Sequence, residues 1–121
     1  MVRTAEELFE ADQVVLAGGA WSPELSAALS LKLPMQAGKG YSLTLEAPRQ
    51  LPRLCSLGVE GRIAITPMGS TLRVGGTMEL SGTNEQVEPR RVRGIVRSFC
   101  DYFPAFRESD FAGITPWVGL R

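Results

Sequence analysis

The residue types that usually carry out catalysis are scarce in this chain of 121 residues. It contains no histidine, which excludes a Ser-His-Asp triad, a Cys-His dyad and the usual zinc sites with histidine ligands. Cys55 and Cys100 lie far apart and outside any CxxC pair, so they predict neither a disulfide framework nor a metal site. We interpret both as buried or idle thiols in a reducing compartment, and we expect a cytoplasmic protein without a bound metal.

Two glycine-containing segments can be compared with phosphate-binding loops. Gly38-Lys39-Gly40 lacks both the earlier glycine and the following Ser or Thr of a P-loop, and we interpret Lys39 as a strand-edge charge. Gly18-Gly19-Ala20 lacks the full G-x-G-x-x-G of a dinucleotide-binding turn, so on its own it predicts a tight turn that needs small residues. Gly75-Gly76, inside a predicted strand, fits either a bulge or the approach of a ligand to the backbone.

Charge indicates no polyanionic partner. The 13 basic and 13 acidic residues balance to a net charge of zero, so we expect no general attraction to nucleic acid. We interpret the arginines at positions 90, 91, 93 and 97 as the solvated face of an amphipathic helix. No apolar run approaches the length that spans a bilayer.

In the first third of the chain, the elements that must position these residues are one strand and one helix. Residues 14–17 form a continuous apolar run, which is typical of a strand buried on both faces. Residues 2–4 are predicted to pair with it through a turn at residues 5–7, and a short helix over residues 5–11 is the alternative. Ser22 as N-cap and Pro23 at the first helical position predict a helix that runs to about residue 31.

The rest of the chain predicts a sheet and a second helix. Residues 41–47 alternate between apolar and polar, which predicts a half-buried strand. Two further strands, residues 62–67 and 71–78, are joined by a hairpin at Met68-Gly69-Ser70. Pro89 begins the second helix, and residues 111–121 form a short extended segment. The apolar residues of that helix share one face: Val92, Ile95, Val96, Phe99 and Phe103.

Four segments together resemble the D-amino-acid oxidase superfamily of FAD-dependent oxidoreductases, in its D-amino-acid dehydrogenase branch. They are VVLAGGAWS at residues 14–22, PMQAGKGYS at 34–42, LRVGGTMEL at 72–80 and WVGLR at 117–121. The first resembles the strand and turn that close the FAD-binding domain. The second resembles the strand entering the substrate domain, the third a strand at the active-site edge, and the last the W-x-G-L-R before the return to the FAD-binding domain.

The resemblance implies a domain division. Residues 1–22 are expected to be the end of an FAD-binding domain, and residues 23–121 a substrate-binding domain truncated at its C-terminal end. The expected fold class is α+β: a mostly antiparallel sheet with two helices packed on it, preceded by one strand that belongs to a missing FAD-binding domain. Because the family's G-x-G-x-x-G is absent, we expect a fragment in which missing sequence holds most of the FAD.

The resemblance also implies a reaction and a set of site residues. A D-amino acid or related amine is oxidised by hydride transfer to flavin, and the imino acid hydrolyses to a keto acid. Arg121 is expected to pair with the substrate carboxylate, Tyr41 to line the pocket, and Thr77 and Met78 to border it. The backbones expected to approach the FAD are those of Gly18, Gly19 and Ala20.

No catalytic residue is assigned to this chain, and the isolated chain is expected to be inactive. The resemblance further implies a peripheral membrane contact in the whole enzyme. The alternative is a free-standing, non-catalytic binding or interaction module that kept the sheet and lost the chemistry.

Overall fold

A computed structural model describes all 121 residues, which form two compact units, Met1–Met35 and Gln36–Arg121. The predicted α+β class is confirmed, because the chain has two α-helices and every strand pairing is antiparallel. The structural division follows Met35, so the helix predicted to open the substrate domain lies in the first unit. The assignment of residues 1–22 to an FAD-binding domain stays a prediction.

The first unit begins with a hairpin in which β1 (Val2–Arg3) pairs with β2 (Leu8–Phe9). Thr4 closes the turn, because its hydroxyl donates to the Glu7 carbonyl at 3.0 Å and accepts the Glu7 amide at 2.9 Å. The predicted turn at residues 5–7 therefore forms. Residues 14–17 were the wrong partner for the first strand, because the strand that follows the turn is β2. The alternative helix over residues 5–11 was also wrong.

The buried strand predicted over residues 14–17 is not present in this chain. The segment has no regular secondary structure, and the side chain of Val15 is 87% exposed. A strand needs a neighbour that satisfies its backbone N–H and C=O groups. No strand of this chain pairs with residues 14–17, so their apolar character alone does not produce one.

Helix α1 (Ser22–Ala27) follows a 3-10 helix, Gly19–Trp21. Pro23 lies in its first turn as predicted, but Trp21 rather than Ser22 occupies the N-cap position. The helix ends before residue 31 because Ser30 takes a left-handed φ of 56°. There the Leu31 amide donates to the Ser26 carbonyl at 3.2 Å and the Ser30 amide to the Ala27 carbonyl at 3.0 Å, the two hydrogen bonds of a Schellman ending.

The second unit is a five-stranded sheet with one α-helix. The strand order is β4-β5-β6-β3-β7, which places β3 between two partners and β4 and β7 at the edges. A short 3-10 helix, Glu108–Phe111, precedes β7. The elements are β3 (Lys39–Leu45), β4 (Ser56–Gly58), β5 (Ile63–Met68), β6 (Thr71–Glu79), α2 (Pro89–Tyr102) and β7 (Trp117–Leu120).

Most predicted elements of the second unit are confirmed, with two differences. The β5–β6 hairpin turns at Gly69-Ser70, and Gly69 has the positive φ, 61°, that such a turn favours. Strand β3 is buried along nearly its whole length rather than half-buried, because β6 and β7 flank it on both edges. Strand β4 was not predicted.

One hydrophobic core lies between α2 and the sheet. Helix α2 contributes its predicted apolar face, and Glu88 caps the helix by accepting the Arg90 amide at 3.2 Å. Phe99 is fully buried and its ring centroid lies 4.8 Å from that of Phe103. The core residues are Tyr41, Leu43, Leu45, Ile63, Ile65, Leu72, Val74, Ile95, Val96, Phe99, Phe106 and Phe111.

The glycine pair in β6 allows close packing, and the bulge falls just after it. A Cβ at Gly76 would lie 2.9 Å from the Arg62 carbonyl oxygen and 3.1 Å from Ile95, so a larger residue would push both away. The register then shifts, and Thr77 takes a left-handed φ of 65°. A bulge is therefore present in β6, but it lies at Thr77, just after the glycine pair.

The two cysteines differ in their surroundings. Cys100 is half-buried, and burial raises the pKa of its thiol. Cys55 is exposed, so of the two predicted alternatives, a buried or an idle thiol, only the idle one is left for it, and that stays a prediction. That residue lies on the surface just before β4, in a segment whose strand the sequence pattern did not indicate. In the chain as a whole, neither α-helix combines the length and apolar character needed to cross a membrane.

Phe99→Ala is expected to lower the free energy of unfolding by about 3–5 kcal/mol, because it leaves a cavity beneath α2. Urea denaturation of the purified chain measures the loss. The control is Val15→Asp, which should leave the midpoint nearly unchanged because Val15 is 87% exposed. Equal losses from both substitutions would contradict this view of the core.

Candidate functional site

The face of the sheet opposite α2, here called the glycine face, carries mostly small residues at its centre. Side chains alternate between the two faces of a strand, so residues in register with Ser42 lie on its face. Ser42 pairs with Gly75 on one side and Trp117 on the other, and Gly75 pairs with Ala64. The small residues that define the face are Gly40, Ser42, Ala64, Gly75 and Gly119.

A cleft of about 890 Å³ is lined by residues from both faces of the sheet and by α2. All four residues predicted to contact the substrate line this cleft: Tyr41, Thr77, Met78 and Arg121. The structure therefore brings together residues that lie far apart in the sequence. It does so by pairing β3 with both β6 and β7.

Arg121 is fixed by its backbone. Its carbonyl accepts the Gly38 amide at 2.7 Å and its amide donates to the Gly38 carbonyl at 2.9 Å, which continues the β3–β7 ladder by one pair. The guanidinium atom Nη2 lies 3.3 Å from the position that a Cβ would take at Gly40, so the side chain lies on the glycine face. No ion pair in the structure involves Arg121.

The hydroxyl of Tyr41 is engaged on the opposite, helix side of the sheet. It donates to Oε2 of Glu79 at 2.6 Å and accepts the Glu88 amide at 3.4 Å. Its ring, which lines the cleft, is the part of Tyr41 that could meet a ligand. The role of Tyr41 as a pocket residue stays a prediction.

Lys39 completes a polar cluster with Tyr41 and Glu79. Its ammonium lies 3.3 Å from Oε1 of Glu79 and donates to the Gln86 carbonyl at 2.9 Å, while its side chain is only 1% exposed. Interpreting Lys39 as a strand-edge charge was wrong, because β3 is an interior strand and Lys39 is buried. The Tyr41 hydrogen bond, and after it Lys39, hold the pKa of Glu79 below its usual range.

Thr77 and Met78 form the bulge that borders the cleft. The Thr77 carbonyl oxygen lies 3.8 Å from the Cβ position of Gly40, and Met78 contacts the backbone at Gly38. Both residues therefore adjoin the strand segment over which the Arg121 guanidinium lies. Their contact with a substrate stays a prediction.

Trp117 also lines the cleft, although its sequence pattern was not assigned to the site. Its ring packs on Gly119 so closely that a Cβ there would collide with it, which explains the glycine in W-x-G-L-R. It pairs with Ser42 and lines the cleft, with 66% of its side chain exposed. Its position two residues before Gly119, on the same face, was the available signal.

The predicted FAD-contacting residues lie in the first unit. Gly19 has a left-handed φ of 54° and no atom within 4 Å of its Cβ position. The Trp21 amide donates to the Gly18 carbonyl at 3.1 Å, and Ala20 is buried. The tight turn is thus present and leads through a 3-10 helix into α1, while its contact with FAD stays a prediction.

More arginines line the cleft than were assigned from the sequence, which indicated only Arg121. Arg90 and Arg91, predicted on a solvated helix face, border the cleft from the first turn of α2. Arg73 joins them from β6, and Arg62 joins them from the turn before β5. Helical spacing cannot separate Arg90 and Arg91 from Arg93 and Arg97, because the difference arises from where α2 crosses the sheet.

Comparison with known proteins agrees with this fold. The family model described as "FAD dependent oxidoreductase" matches residues 2–121. The chain belongs to that family. Two relatives of this FAD-dependent oxidoreductase chain are D-amino acid dehydrogenases. The protein from Xanthobacter autotrophicus is 42% identical over 118 residues, which are 95% of this chain and 27% of the relative. The protein from Bradyrhizobium diazoefficiens is 37% identical over 99% of this chain and 28% of its own length.

Solved structures show the same fold. Iminodiacetate oxidase from Chelativorans sp. aligns with a TM-score of 0.73 and 24% identity, over 93% of this chain and 31% of that one. Glycine oxidase from Bacillus cereus aligns with a TM-score of 0.68 and 22% identity, over 97% and 32%. This FAD-dependent oxidoreductase chain thus spans less than a third of each of these four proteins.

Glu79→Gln is expected to reduce the loss of folding stability that occurs as the pH falls from neutral to acid. Because folding lowers the Glu79 pKa, its contribution is present above the unfolded carboxyl pKa of about 4.3 and is lost as the pH falls through the folded value. Urea midpoints measured from neutral to acid pH should therefore decline less steeply in the variant. Asp101→Asn, at an exposed carboxylate without an ion pair, is the control and should keep the wild-type slope. A variant profile parallel to that of the wild type would contradict the prediction.

Proposed function

We propose that this chain is the substrate-binding portion of an FAD-dependent enzyme that oxidises a D-amino acid or related amine. The product is an imino acid, which hydrolyses to a keto acid. The observation that carries the proposal is the Arg121 guanidinium, held on the glycine face of an 890 Å³ cleft without an ion-pair partner. The family supports the redox class, and the dehydrogenase relatives support the substrate class.

Arg121 would bind and orient the substrate. A guanidinium offers two parallel N–H donors to a carboxylate, so it fixes the direction of the amino acid as well as its charge. The backbone pairing with Gly38 limits the movement of the arginine. Thr77 and Met78 would border the substrate, and the ring of Tyr41 would form part of the wall.

The glycine face suits a site where a planar cofactor and a small substrate meet. Its central residues leave the backbone approachable, and a Cβ at Gly40 would press on the Arg121 guanidinium. The chemistry that bound FAD supplies is acceptance of the hydride from the substrate α-carbon. Gly18, Gly19 and Ala20 would contact FAD through their backbones, which the open space around the Gly19 Cβ position supports.

Other polypeptide would hold most of the FAD in this proposal. The chain covers 27% and 28% of the two dehydrogenase relatives, and it has no G-x-G-x-x-G. We therefore propose an FAD-binding domain as its partner. We also propose a cytoplasmic location, which the two free cysteines support.

A second candidate is a free-standing binding module without redox chemistry. The observation in its favour is that the second unit encloses its own hydrophobic core beneath a complete five-stranded sheet. Such a module would bind a ligand but would support no oxidation of D-amino acids when it is joined to an FAD-binding domain.

The chain alone is expected to retain no FAD, because it lacks the glycine-rich loop and helix N-terminus that bind the pyrophosphate. The measurement is the visible absorption spectrum of the chain, purified after incubation with FAD. A flavin band at equal molar ratio would contradict the prediction and place the cofactor site within these residues.

A chimera tests the proposed function. This chain replaces the matching segment of the Xanthobacter dehydrogenase, and turnover of D-amino acids is measured with an artificial electron acceptor. In that chimera Arg121→Lys should raise KM and lower kcat/KM about 10- to 100-fold, because lysine cannot form the bidentate pair. The matched control is Arg53→Lys, at an exposed position outside the cleft, which should leave both constants unchanged. A chimera that binds FAD but oxidises no D-amino acid would overturn the proposal.

A further inference from the structure

The ionisable residues that line the cleft are unusually one-sided. The chain has equal numbers of basic and acidic residues, yet the cleft is lined by five arginines and by no aspartate, glutamate or lysine. Only Arg91 has an ion-pair partner, with Nε 3.9 Å from Oε2 of Glu79. The five are Arg62, Arg73, Arg90, Arg91 and Arg121.

Such a cleft attracts anions and repels cations. Several positive charges that line one cleft reinforce one another, so the local potential is positive although the net charge is zero. A single substrate carboxylate bound by Arg121 would leave the other arginines without a counter-charge. The excess of charge therefore points to a ligand that carries more than one negative group.

Arg73 is the arginine whose position is best defined relative to Arg121. It pairs with Thr44 across the β3–β6 ladder, and its Nε donates to the Thr44 hydroxyl at 3.4 Å. The Arg121 guanidinium lies over Gly40, four positions earlier in the same strand. Both arginines are on the glycine face, because alternate residues of β3 share a face.

The spacing of the two guanidinium groups sets the length of the ligand. The positions of Gly40 and Thr44 along β3 are about 13 Å apart, at the usual rise of a strand. Guanidinium groups centred over these two positions, each in charge-assisted hydrogen bonds to a carboxylate, would leave about 5 Å between the two carboxylate carbons. This is the spacing of the two carboxyl groups of glutamate. Ser42 and Gly75 lie between them on this face, and Trp117 lies beside Ser42 on the other edge of β3.

We propose that the cleft binds an amino acid with a second carboxylate, spaced as in glutamate. Arg121 binds the α-carboxylate and Arg73 binds the side-chain carboxylate. The inference rests on the proposed function and adds the substrate class to it. Amino acids with neutral side chains lack a partner for Arg73, and those with basic side chains are repelled by all five arginines.

The test is a titration of the isotopically labelled 121-residue chain, followed by NMR, with D-glutamate and with its neutral analogue D-glutamine. D-glutamate should bind about three- to ten-fold more tightly, as expected for one partly exposed charge-assisted pair, and should shift the amides of Ser42 and Gly75. Arg73→Gln should abolish the difference between the two ligands and leave the D-glutamine affinity unchanged. Arg97→Gln, on α2 but outside the cleft, is the matched control and should preserve the preference.

The other outcomes separate this inference from the proposed function. Equal binding of both ligands, weakened for both by Arg121→Gln, overturns the inference and leaves the proposed function intact. A preference that survives Arg73→Gln but disappears in Arg90→Gln overturns the assignment to Arg73. Inorganic pyrophosphate is the third ligand. Tight binding of pyrophosphate that depends on Arg73, with no preference for D-glutamate over D-glutamine, would overturn the inference. It would assign the second anionic group to the cofactor. If Arg121→Gln binds none of the ligands and keeps an unchanged melting curve, that result supports binding of the α-carboxylate by Arg121.

Discussion

Strand β3 is paired along both edges, with β6 on one side and β7 on the other, and the site exists because of that pairing. It brings Arg121 beside Gly38 and places the bulge at Thr77 next to the same strand segment. Neither neighbour alone would form the cleft, because β6 supplies Arg73 and the bulge while β7 supplies Trp117 and Arg121. Strand β3 therefore sets the spacing of the groups that line the cleft.

The two faces of the sheet have separate tasks. The helix face is filled by apolar side chains and ends in the polar cluster of Lys39, Tyr41 and Glu79. Burial of the Lys39 ammonium is costly, and the Glu79 carboxylate and the Gln86 carbonyl offset that cost. The same contacts tie the segment before α2 to the sheet, beside the bulge. The glycine face, by contrast, carries few large side chains, so open space remains above its strands.

Patterns within one element were sufficient to predict much of this fold. The α2 periodicity from Pro89 and the turn at Gly69 depend on neighbouring residues, and both were predicted from the sequence. The strand predicted over residues 14–17 failed because a strand depends on a partner, which an apolar run does not reveal. The burial of Lys39 was missed for the same reason, since only the pairing with both β6 and β7 makes β3 an interior strand.

The residues that line the cleft could likewise be predicted only in part. Arg121, Tyr41, Thr77 and Met78 were assigned through family resemblance, and the structure places all four along one cleft. Arg73 and Arg90 had no local signal, because an arginine on a strand or a helix is usually a solvated charge. Their common placement arises from the crossing of α2 over the sheet and from the strand order. Long-range pairing, rather than residue type, decided which arginines meet.

The ladder that joins Lys39 to Leu120 has a kinetic consequence. The β5–β6 hairpin closes over two residues, whereas β3 and β7 meet only after nearly the whole second unit has been brought round. Closure of a long loop costs more chain entropy and is slower than closure of a short one. We therefore expect β7 to dock late in folding, so that the arginine fork becomes ordered after the rest of the sheet has already assembled.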